Sequence, residues 1–176
     1  MKASTMPKCR LLIFDASVII DLHLMGLWEK VAERCDITIT STVAEDEVDF
    51  WEDEAGERHY IDLNESSFKQ VDVPLDSVIQ FKSRFLGDYF ERLDPGEVES
   101  LTYLCSSKEH FLICSGDSIV FRILGLIARS GQGISLEELL SKIGLGRQLE
   151  WRNTKDFRIK YTKLGEQDSV TGTGLA

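Results

Sequence analysis

Short apolar runs alternate along the chain with longer segments in which apolar residues recur at helical spacing. Arg10–Asp15 (RLLIFD) is a continuous apolar run that ends in an acid, and Phe111–Cys114 (FLIC) is a second such run; both are typical of strands buried in a parallel sheet. Asp36–Thr40 (DITIT) is short and rich in β-branched residues, and predicts another strand. Gly131–Ser135 gives a weak signal for a fourth strand.

The segments between these runs carry apolar residues three and four positions apart, which predicts helices. These segments are Ser17–Val31, Thr42–Trp51, Leu75–Leu86, Asp94–Ser107, Ile119–Ala128 and Ser135–Gly144. Asp94 is the expected N-cap of its helix, with Pro95 at the first helical position and Glu97 closing a capping box. Strands that alternate with helices predict an α/β fold, a parallel sheet covered by helices on both faces.

One stretch breaks this alternation. Arg58–Leu63 and Phe68–Val73 flank the polar residues Asn64–Ser67, which predicts a β-hairpin. We interpret residues 56–73 as a hairpin insertion in a domain that covers residues 1–146.

The C-terminal residues 147–176 form a basic extension in this interpretation. Its last part, Glu166–Ala176, is polar and poor in apolar residues, and is predicted to be a mobile tail.

Composition restricts the class of protein. The 176 residues are 43% hydrophobic, which is enough for one globular core. No apolar run approaches the ~18 residues that a membrane span needs, and no signal peptide is predicted. The cysteines have no CxxC spacing, which argues against a zinc site or a disulfide framework and favours reduced thiols in a cytoplasmic protein; they are Cys9, Cys35, Cys105 and Cys114.

The charge is unevenly distributed. A net charge of −10 argues against a sequence-independent nucleic-acid coat. Ten acids and one base lie between Glu45 and Glu65, whereas seven bases and two acids lie between Ser141 and Lys163. An acidic half and a basic tail fit a metal site beside a phosphate-binding surface. They also fit two solvated faces that attract each other, and composition alone favours this second interpretation.

Acidic residues stand where a parallel sheet forms its sites, just after the carboxyl ends of strands. Asp15 ends the first strand and Asp117 follows the third. Glu47 lies on the helix after the second strand, and Glu97 lies on the first turn of the helix that Asp94 caps. Four carboxylates that converge repel one another, so the cluster needs protonation or a bound cation. Mg²⁺ and Mn²⁺ prefer such oxygen ligands.

Each of these carboxylates also has a purely structural explanation. Asp15 and Asp117 can act as N-caps, and the capping box alone explains Glu97. Glu47 belongs to an acidic helix start, which complements the helix dipole. The position after apolar strands favours a site role for Asp15 and Asp117, and the spacing of six residues from Ser41 favours it for Glu47.

Four motifs occur in a fixed order between about Leu11 and Leu145: FDASVIIDL (Phe14–Leu22), STVAEDE (Ser41–Glu47), DPGEVE (Asp94–Glu99) and LICSGD (Leu112–Asp117). Together they resemble the motifs of the PIN domain family of metal-dependent ribonucleases. The resemblance implies a three-layer α/β/α sandwich with a central parallel sheet of four to five strands. It also implies an acidic catalytic quartet and two hydroxyls that brace the site; the quartet is Asp15, Glu47, Glu97 and Asp117, and the hydroxyls are Ser17 and Ser115.

The predicted activity is hydrolysis of RNA phosphodiester bonds. Asp15, Glu97 and Asp117 would hold one or two Mg²⁺ or Mn²⁺ ions, and Glu47 would complete the quartet. Basic side chains of the extension would hold the RNA backbone away from the acidic pocket; they are Arg147, Arg152, Lys155, Arg158 and Lys160. Trp151 is the aromatic residue that we would test for stacking on RNA bases.

Two alternatives remain open from the sequence. In the first, the chain would be a toxin component that an antitoxin-like protein partner holds inactive. The apolar residues of the first helix, Leu22 to Trp28, would then form the partner or homodimer surface. Alternatively, it is a non-catalytic PIN-like scaffold that binds no metal. A receiver-like phospho-acceptor domain is a weaker alternative, because paired acids do not follow the first strand.

Overall fold

The described part of the chain contains seven strands, eight α-helices and three short turns of π or 3₁₀ helix. The computed structural model describes residues 8–13, 15–63 and 67–176, and the side chains of these except at positions 12, 13 and 90. The strands are β1 (Cys9–Ile13), β2 (Cys35–Thr40), β3 (Phe50–Glu52), β4 (Arg58–Tyr60), β5 (Lys69–Val71), β6 (Leu112–Cys114) and β7 (Gly133–Ile134). The helices are α1 (Ala16–Leu24), α2 (Trp28–Arg34), α3 (Leu75–Lys82), α4 (Gly87–Phe90), α5 (Pro95–Ser106), α6 (Ser118–Leu126), α7 (Leu136–Lys142) and α8 (Lys155–Thr171).

The central sheet has five parallel strands in the order β5-β2-β1-β6-β7. One face packs against α1, α2 and α7, and the other against α5 and α6. Neighbouring residues of β6 belong to the two faces, since Cys114 joins the first core cluster and Ile113 the second. The structure confirms the predicted α/β class and its three layers, with the weakly signalled strand present as β7. No helix within the described ranges has the length and apolar character needed to cross a membrane.

The segment predicted as one helix over Ser17–Val31 is two helices. Gly26 has φ of +65°, which ends α1 and lets the chain turn into α2. Leu22, Leu27 and Trp28 are buried in the core, so most of the predicted partner surface is not available to a partner. Leu24 remains half-exposed.

The acidic segment Thr42–Trp51 is also not a continuous helix. A single π-helical turn covers Val43–Glu47, and the Val48 N–H donates to the Val43 carbonyl oxygen at 3.1 Å. The chain then becomes extended and forms β3. This early ending of the helical turn leaves Glu47 at its C-terminal end.

The predicted hairpin between Arg58–Leu63 and Phe68–Val73 is wrong in its pairing. β4 pairs antiparallel with β3, whereas β5 pairs parallel with β2 at the edge of the main sheet. The Asp53 carboxylate accepts hydrogen bonds from the Ala55 and Glu57 N–H groups at 2.9 Å, and Gly56 has φ of +78°, so a tight turn joins β3 to β4.

Two parts of the sequence predictions fall on positions that the structure does not describe. Residue 14, which opens the first motif of the PIN resemblance, lies outside the described residues, and so do residues 64–66 of the predicted hairpin loop.

The predicted mobile tail is wrong, because α8 continues to Thr171 and packs against α6. The Thr154 side chain accepts from the Phe157 N–H at the start of α8, and Gly172 ends it with φ of +72°. Asp168 of α8 accepts from the Arg122 Nε at 2.5 Å and from the Tyr89 hydroxyl. The C-terminal extension is therefore an integral outer layer of the domain.

Candidate functional site

An open cleft of about 660 Å³ lies at the carboxyl ends of the sheet strands. Six carboxylate side chains line it: Asp15, Asp46, Glu47, Asp94, Glu97 and Asp117. All four residues of the predicted quartet are among them. Asp46 and Asp94 are additional, and the sequence predicts Asp94 only as a helix N-cap.

Asp15 is fixed by donors from two segments. It is the N-cap of α1, where its Oδ1 accepts from the Ser17 and Val18 N–H groups. Its Oδ2 accepts from the Ser115 hydroxyl and the Gly116 N–H, both at 3.0 Å, just beyond the end of β6. With 8% of its surface exposed, Asp15 connects the ends of two adjacent strands across the floor of the cleft.

Asp117 stands beside it as the N-cap of α6. Its Oδ1 accepts from the Ile119 N–H at 3.0 Å, and its own N–H donates to the Ser115 hydroxyl. Burial raises the pKa of Asp117, and the nearby Asp15 carboxylate raises it further. The Ser115 hydroxyl thus donates to the Asp15 carboxylate and accepts from the Asp117 backbone N–H, whereas Ser17 contacts Asp15 through its own backbone N–H.

Glu97 is the deepest carboxylate, with 1% of its surface exposed. Its Oε2 accepts from the Asp94 N–H at 3.1 Å, which completes the predicted capping box at the start of α5. Burial raises the pKa of Glu97 to about 9, with further contributions from the charges of Asp117, Asp15 and Asp94. The Glu97 carboxylate is therefore both part of the capping box of α5 and part of the acidic lining of the cleft.

Glu47 reaches the same cleft from the π-helical turn. Its Oε1 accepts from the Gly96 N–H at 2.9 Å, which links the turn to α5. A Cβ at position 96 would lie 2.5 Å from Val43 Cγ2 and 2.6 Å from Glu47 Oε2, so a larger residue here would force both side chains to move. Burial raises the pKa of Glu47, although the hydrogen bond from Gly96 opposes the increase.

The donor set fits a hard divalent cation. Burial and mutual repulsion disfavour the ionised forms of three of the carboxyls, and a cation bound among them would remove that penalty. Carboxylate and hydroxyl oxygens are ligands that suit Mg²⁺ or Mn²⁺. Among the described residues, no three cleft carboxylates bring their ligand oxygens within 4.8 Å of one another, so an ion bound here would need water to complete its ligand shell.

A second group of ligand-type side chains lies on the β3–β4 hairpin. The ligand atoms of Asp53, Glu57 and His59 all lie within 4.8 Å of one another, the one such group in the described ranges. Asp53 Oδ2 is 2.9 Å from His59 Nε2, and its Oδ1 accepts from the turn backbone. These hydrogen bonds account for the cluster as the closure of the hairpin.

The predicted RNA-binding side chains separate into three groups. Arg152 lines the cleft itself. Arg158 forms a bidentate ion pair with Glu138, in which its Nε and Nη2 donate to the carboxylate at 2.6 and 2.8 Å. The other three side chains occupy exposed positions elsewhere in the C-terminal segment; they are Arg147, Lys155 and Lys160. Trp151 is 54% exposed, and its ring meets that of Phe157 in a T-shaped contact with the centroids 5.9 Å apart.

The fold and cleft define an α/β protein with an acidic site at the carboxyl edge of a parallel sheet. No family model, curated protein or solved structure matches the chain. The resemblance to the PIN family therefore stays a prediction that rests on the four motifs.

The metal-free protein is expected to lose stability as the pH rises, with Glu97 as the main cause. A carboxyl with a folded pKa of about 9 and an ordinary value of 4.5 retains its proton in the folded state after the unfolded chain has released it. The unfolding free energy therefore falls between these two pH values. Glu97→Gln retains an acceptor for the Asp94 N–H, and we expect it to raise the melting temperature at pH 8 by at least roughly 2–4 °C, or about 1 kcal/mol.

Thermal unfolding of both proteins in EDTA between pH 5 and 8 checks this prediction. The advantage of Glu97→Gln should grow with pH. Parallel curves for the two proteins would show that Glu97 ionises in the folded state as it does in the unfolded chain.

Proposed function

We propose that the protein is an Mg²⁺- or Mn²⁺-dependent ribonuclease that hydrolyses RNA phosphodiester bonds in the acidic cleft. The observation that carries this proposal is the convergence of four carboxylates, predicted from four separate segments, on the lining of one cleft. An acidic cluster at this edge of the sheet repels a phosphodiester unless cations neutralise it, so the site and its substrate both require the metal.

Asp15, Glu97 and Asp117 would hold the ion or ions, and Glu47 would complete the set. A divalent ion held there would lower the pKa of a bound water molecule and would stabilise negative charge on the leaving oxygen of the phosphodiester. Asp15 is held in place for this role by four donors, the Ser17 and Val18 N–H groups on Oδ1 and the Ser115 hydroxyl and Gly116 N–H on Oδ2. Glu47 is oriented in the same way by the Gly96 N–H.

The remaining residues determine how RNA reaches the acids. Asp46 and Asp94 add negative charge at the cleft, so the strand must gain its favourable contacts from elsewhere. Arg147, Lys155 and Lys160 are exposed on the C-terminal segment and would contact phosphates along the strand.

Mn²⁺ binding measured by calorimetry tests the proposal first. Wild type is expected to bind Mn²⁺, and a protein carrying Asp15→Asn and Asp117→Asn together is expected to lose that binding. Asp53→Asn is the matched control, because it removes one carboxylate from the hairpin cluster and leaves the cleft intact. Circular dichroism of each variant establishes that it is folded.

The outcomes separate the cleft from its alternatives. Binding lost in the double variant and retained in Asp53→Asn would support the cleft, and Mn²⁺-dependent cleavage of RNA would then complete the case. Absence of binding in wild type would overturn the proposal and favour the non-catalytic scaffold. Binding lost only in Asp53→Asn would assign the metal to the hairpin.

A further inference from the structure

Arg152 enters the acidic cleft from the C-terminal segment. It lies on a short 3₁₀ turn, Trp151–Asn153, directly before the N-cap of α8. The Thr154 hydroxyl donates to the Trp151 carbonyl at 2.7 Å, and Asn153 is only 4% exposed. The backbone that carries Arg152 is therefore well anchored.

One branch of the Arg152 guanidinium is held on α1. Its Nη2 donates to both carboxylate oxygens of Asp21, at 2.8 and 2.7 Å. The Asn153 side-chain amide donates to the same carboxylate at 2.9 Å. Asp21 does not line the acidic cleft, so this ion pair holds the Arg152 side chain from outside the cleft.

The other branch of the guanidinium faces the cleft. Arg152 Nη1 lies 3.2 Å from the position that a Cβ on Gly116 would occupy, next to the residue that caps α6, Asp117. A Cβ at position 116 would therefore touch this nitrogen tightly enough to require a small shift. The Arg152 side chain is 36% exposed, so it can still meet a ligand.

The cleft-facing branch of Arg152 lies in a strongly acidic environment. Of the described residues that line it, six are carboxylates and Arg152 carries the one positive charge. Arg152 pairs with Asp21 through Nη2 and with Glu150 through Nε at 3.6 Å, both outside the lining, rather than with the cleft acids. With Nη2 and Nε held by acids outside the cleft, Nη1 is the nitrogen placed to donate to an anionic phosphate there.

We propose that Arg152 binds a phosphate of the RNA strand within the acidic cleft, next to the bond that is cleaved, with Asp21 and Asn153 as its positioning residues. This inference rests on the proposed function and specifies its substrate contact. It replaces the expectation that the basic segment as a whole holds the RNA away from the acidic pocket. The exposed bases of that segment contact phosphates outside the cleft.

Binding of a short fluorescein-labelled single-stranded RNA tests this role. Anisotropy is measured over a range of salt concentrations in Ca²⁺, with a gel to show that the strand stays intact. Arg152→Gln is expected to weaken binding roughly 10-fold and to reduce the slope of log affinity against log salt by about 0.7, the value for one phosphate contact on a single strand. Lys30→Gln is the control, since it removes one exposed positive charge on α2.

Arg152→Lys keeps the test valid if Arg152→Gln does not fold. Lysine retains the charge but has no second branch, so it cannot pair with Asp21 and reach the cleft at once. We expect the salt slope of wild type together with weaker binding. Binding by Arg152→Lys as tight as that of wild type would overturn the role assigned to the fixed guanidinium.

The results also separate this inference from the proposed function. Equal affinity and slope in Arg152→Gln and Lys30→Gln would overturn the inference, even if wild type cleaves RNA in Mn²⁺. Faster cleavage by Arg152→Gln would also overturn it, because the arginine would then obstruct the cleft. A reduced slope in Arg152→Gln without any Mn²⁺-dependent cleavage by wild type would support the phosphate contact and refute the nuclease.

Discussion

Asp117→Asn is expected to reduce Mn²⁺-dependent RNA cleavage at least roughly 100-fold while leaving the protein folded. Asparagine retains a side-chain oxygen for the Ile119 N–H, which Asp117 accepts at 3.0 Å, and it is as good an N-cap as aspartate. Only the charge that would hold the cation is lost. Because burial and the neighbouring acids raise the pKa of Asp117, its replacement by a neutral amide should leave the melting temperature unchanged or higher.

Cleavage rates at saturating Mn²⁺ and melting temperatures in EDTA, measured on the same preparations, check this prediction. Asp88→Asn is the matched control, since Asp88 is exposed in the first turn of α4, outside the acidic cleft. A wild-type cleavage rate in Asp117→Asn would show that Asp117 is not needed for catalysis. A lower rate together with a lower melting temperature would indicate that the side chain acts through the fold alone.

Asp117 was predictable because its signal is local. A short strand buried on both faces is apolar throughout, so β6 can be read from its sequence, and a parallel sheet places its sites just beyond such strands. The same reasoning predicts Asp15. Helix caps add a second local signal, which located the start of α5 and Glu97 correctly.

Asp94 shows the limit of this reasoning. Its role as N-cap explains it completely in the sequence, and nothing local indicates that its charge also faces Glu97 and Asp117. Arg152 is a similar case. Its place in the basic segment suggested a general surface for RNA, whereas its position in the cleft depends on an ion pair with Asp21, which is 131 residues away along the chain.

Strand pairing failed where it depends on distant partners. Both β4 and β5 were located approximately, but they were paired with each other because they are neighbours in the sequence. In the structure, β4 pairs with β3, which was not predicted, across a turn that Asp53 closes. β5 pairs with β2 and forms the edge strand of the main sheet. The backbone hydrogen bonds that decide between these arrangements leave little trace in side-chain composition.

The missed helix α8 has a different cause. Its buried face combines Phe157 with a glycine and a charged residue, Gly165 and Asp168, so the usual apolar stripe is absent. The helix is held instead by the Arg122–Asp168 ion pair and by close backbone contact with α6. A sequence pattern based on hydrophobicity does not detect an interface of this kind.

Gly165→Ala is accordingly expected to destabilise the protein by about 3 kcal/mol or more, a fall in melting temperature on the order of 10 °C. An added Cβ at this position would overlap the Arg122 carbonyl oxygen and lie 2.9 Å from the Leu126 nitrogen, both in the backbone of α6. Gly125 of α6 makes the reciprocal contact, since its Cβ would overlap the Thr162 carbonyl oxygen. Alanine is the better helix former by about 1 kcal/mol, so a net loss of stability can only come from the helix interface.

Thermal unfolding of Gly165→Ala and Gly87→Ala provides the comparison. Gly87 begins α4, and no atom lies within 4 Å of its added Cβ, so this control should be neutral or stabilised by less than about 1 kcal/mol. Equal melting temperatures for the two variants would mean that α8 does not lie against α6. The turn Trp151–Asn153, which leads directly into α8, would then lose its anchor, and the position of Arg152 in the cleft would have to be explained by Asp21 alone.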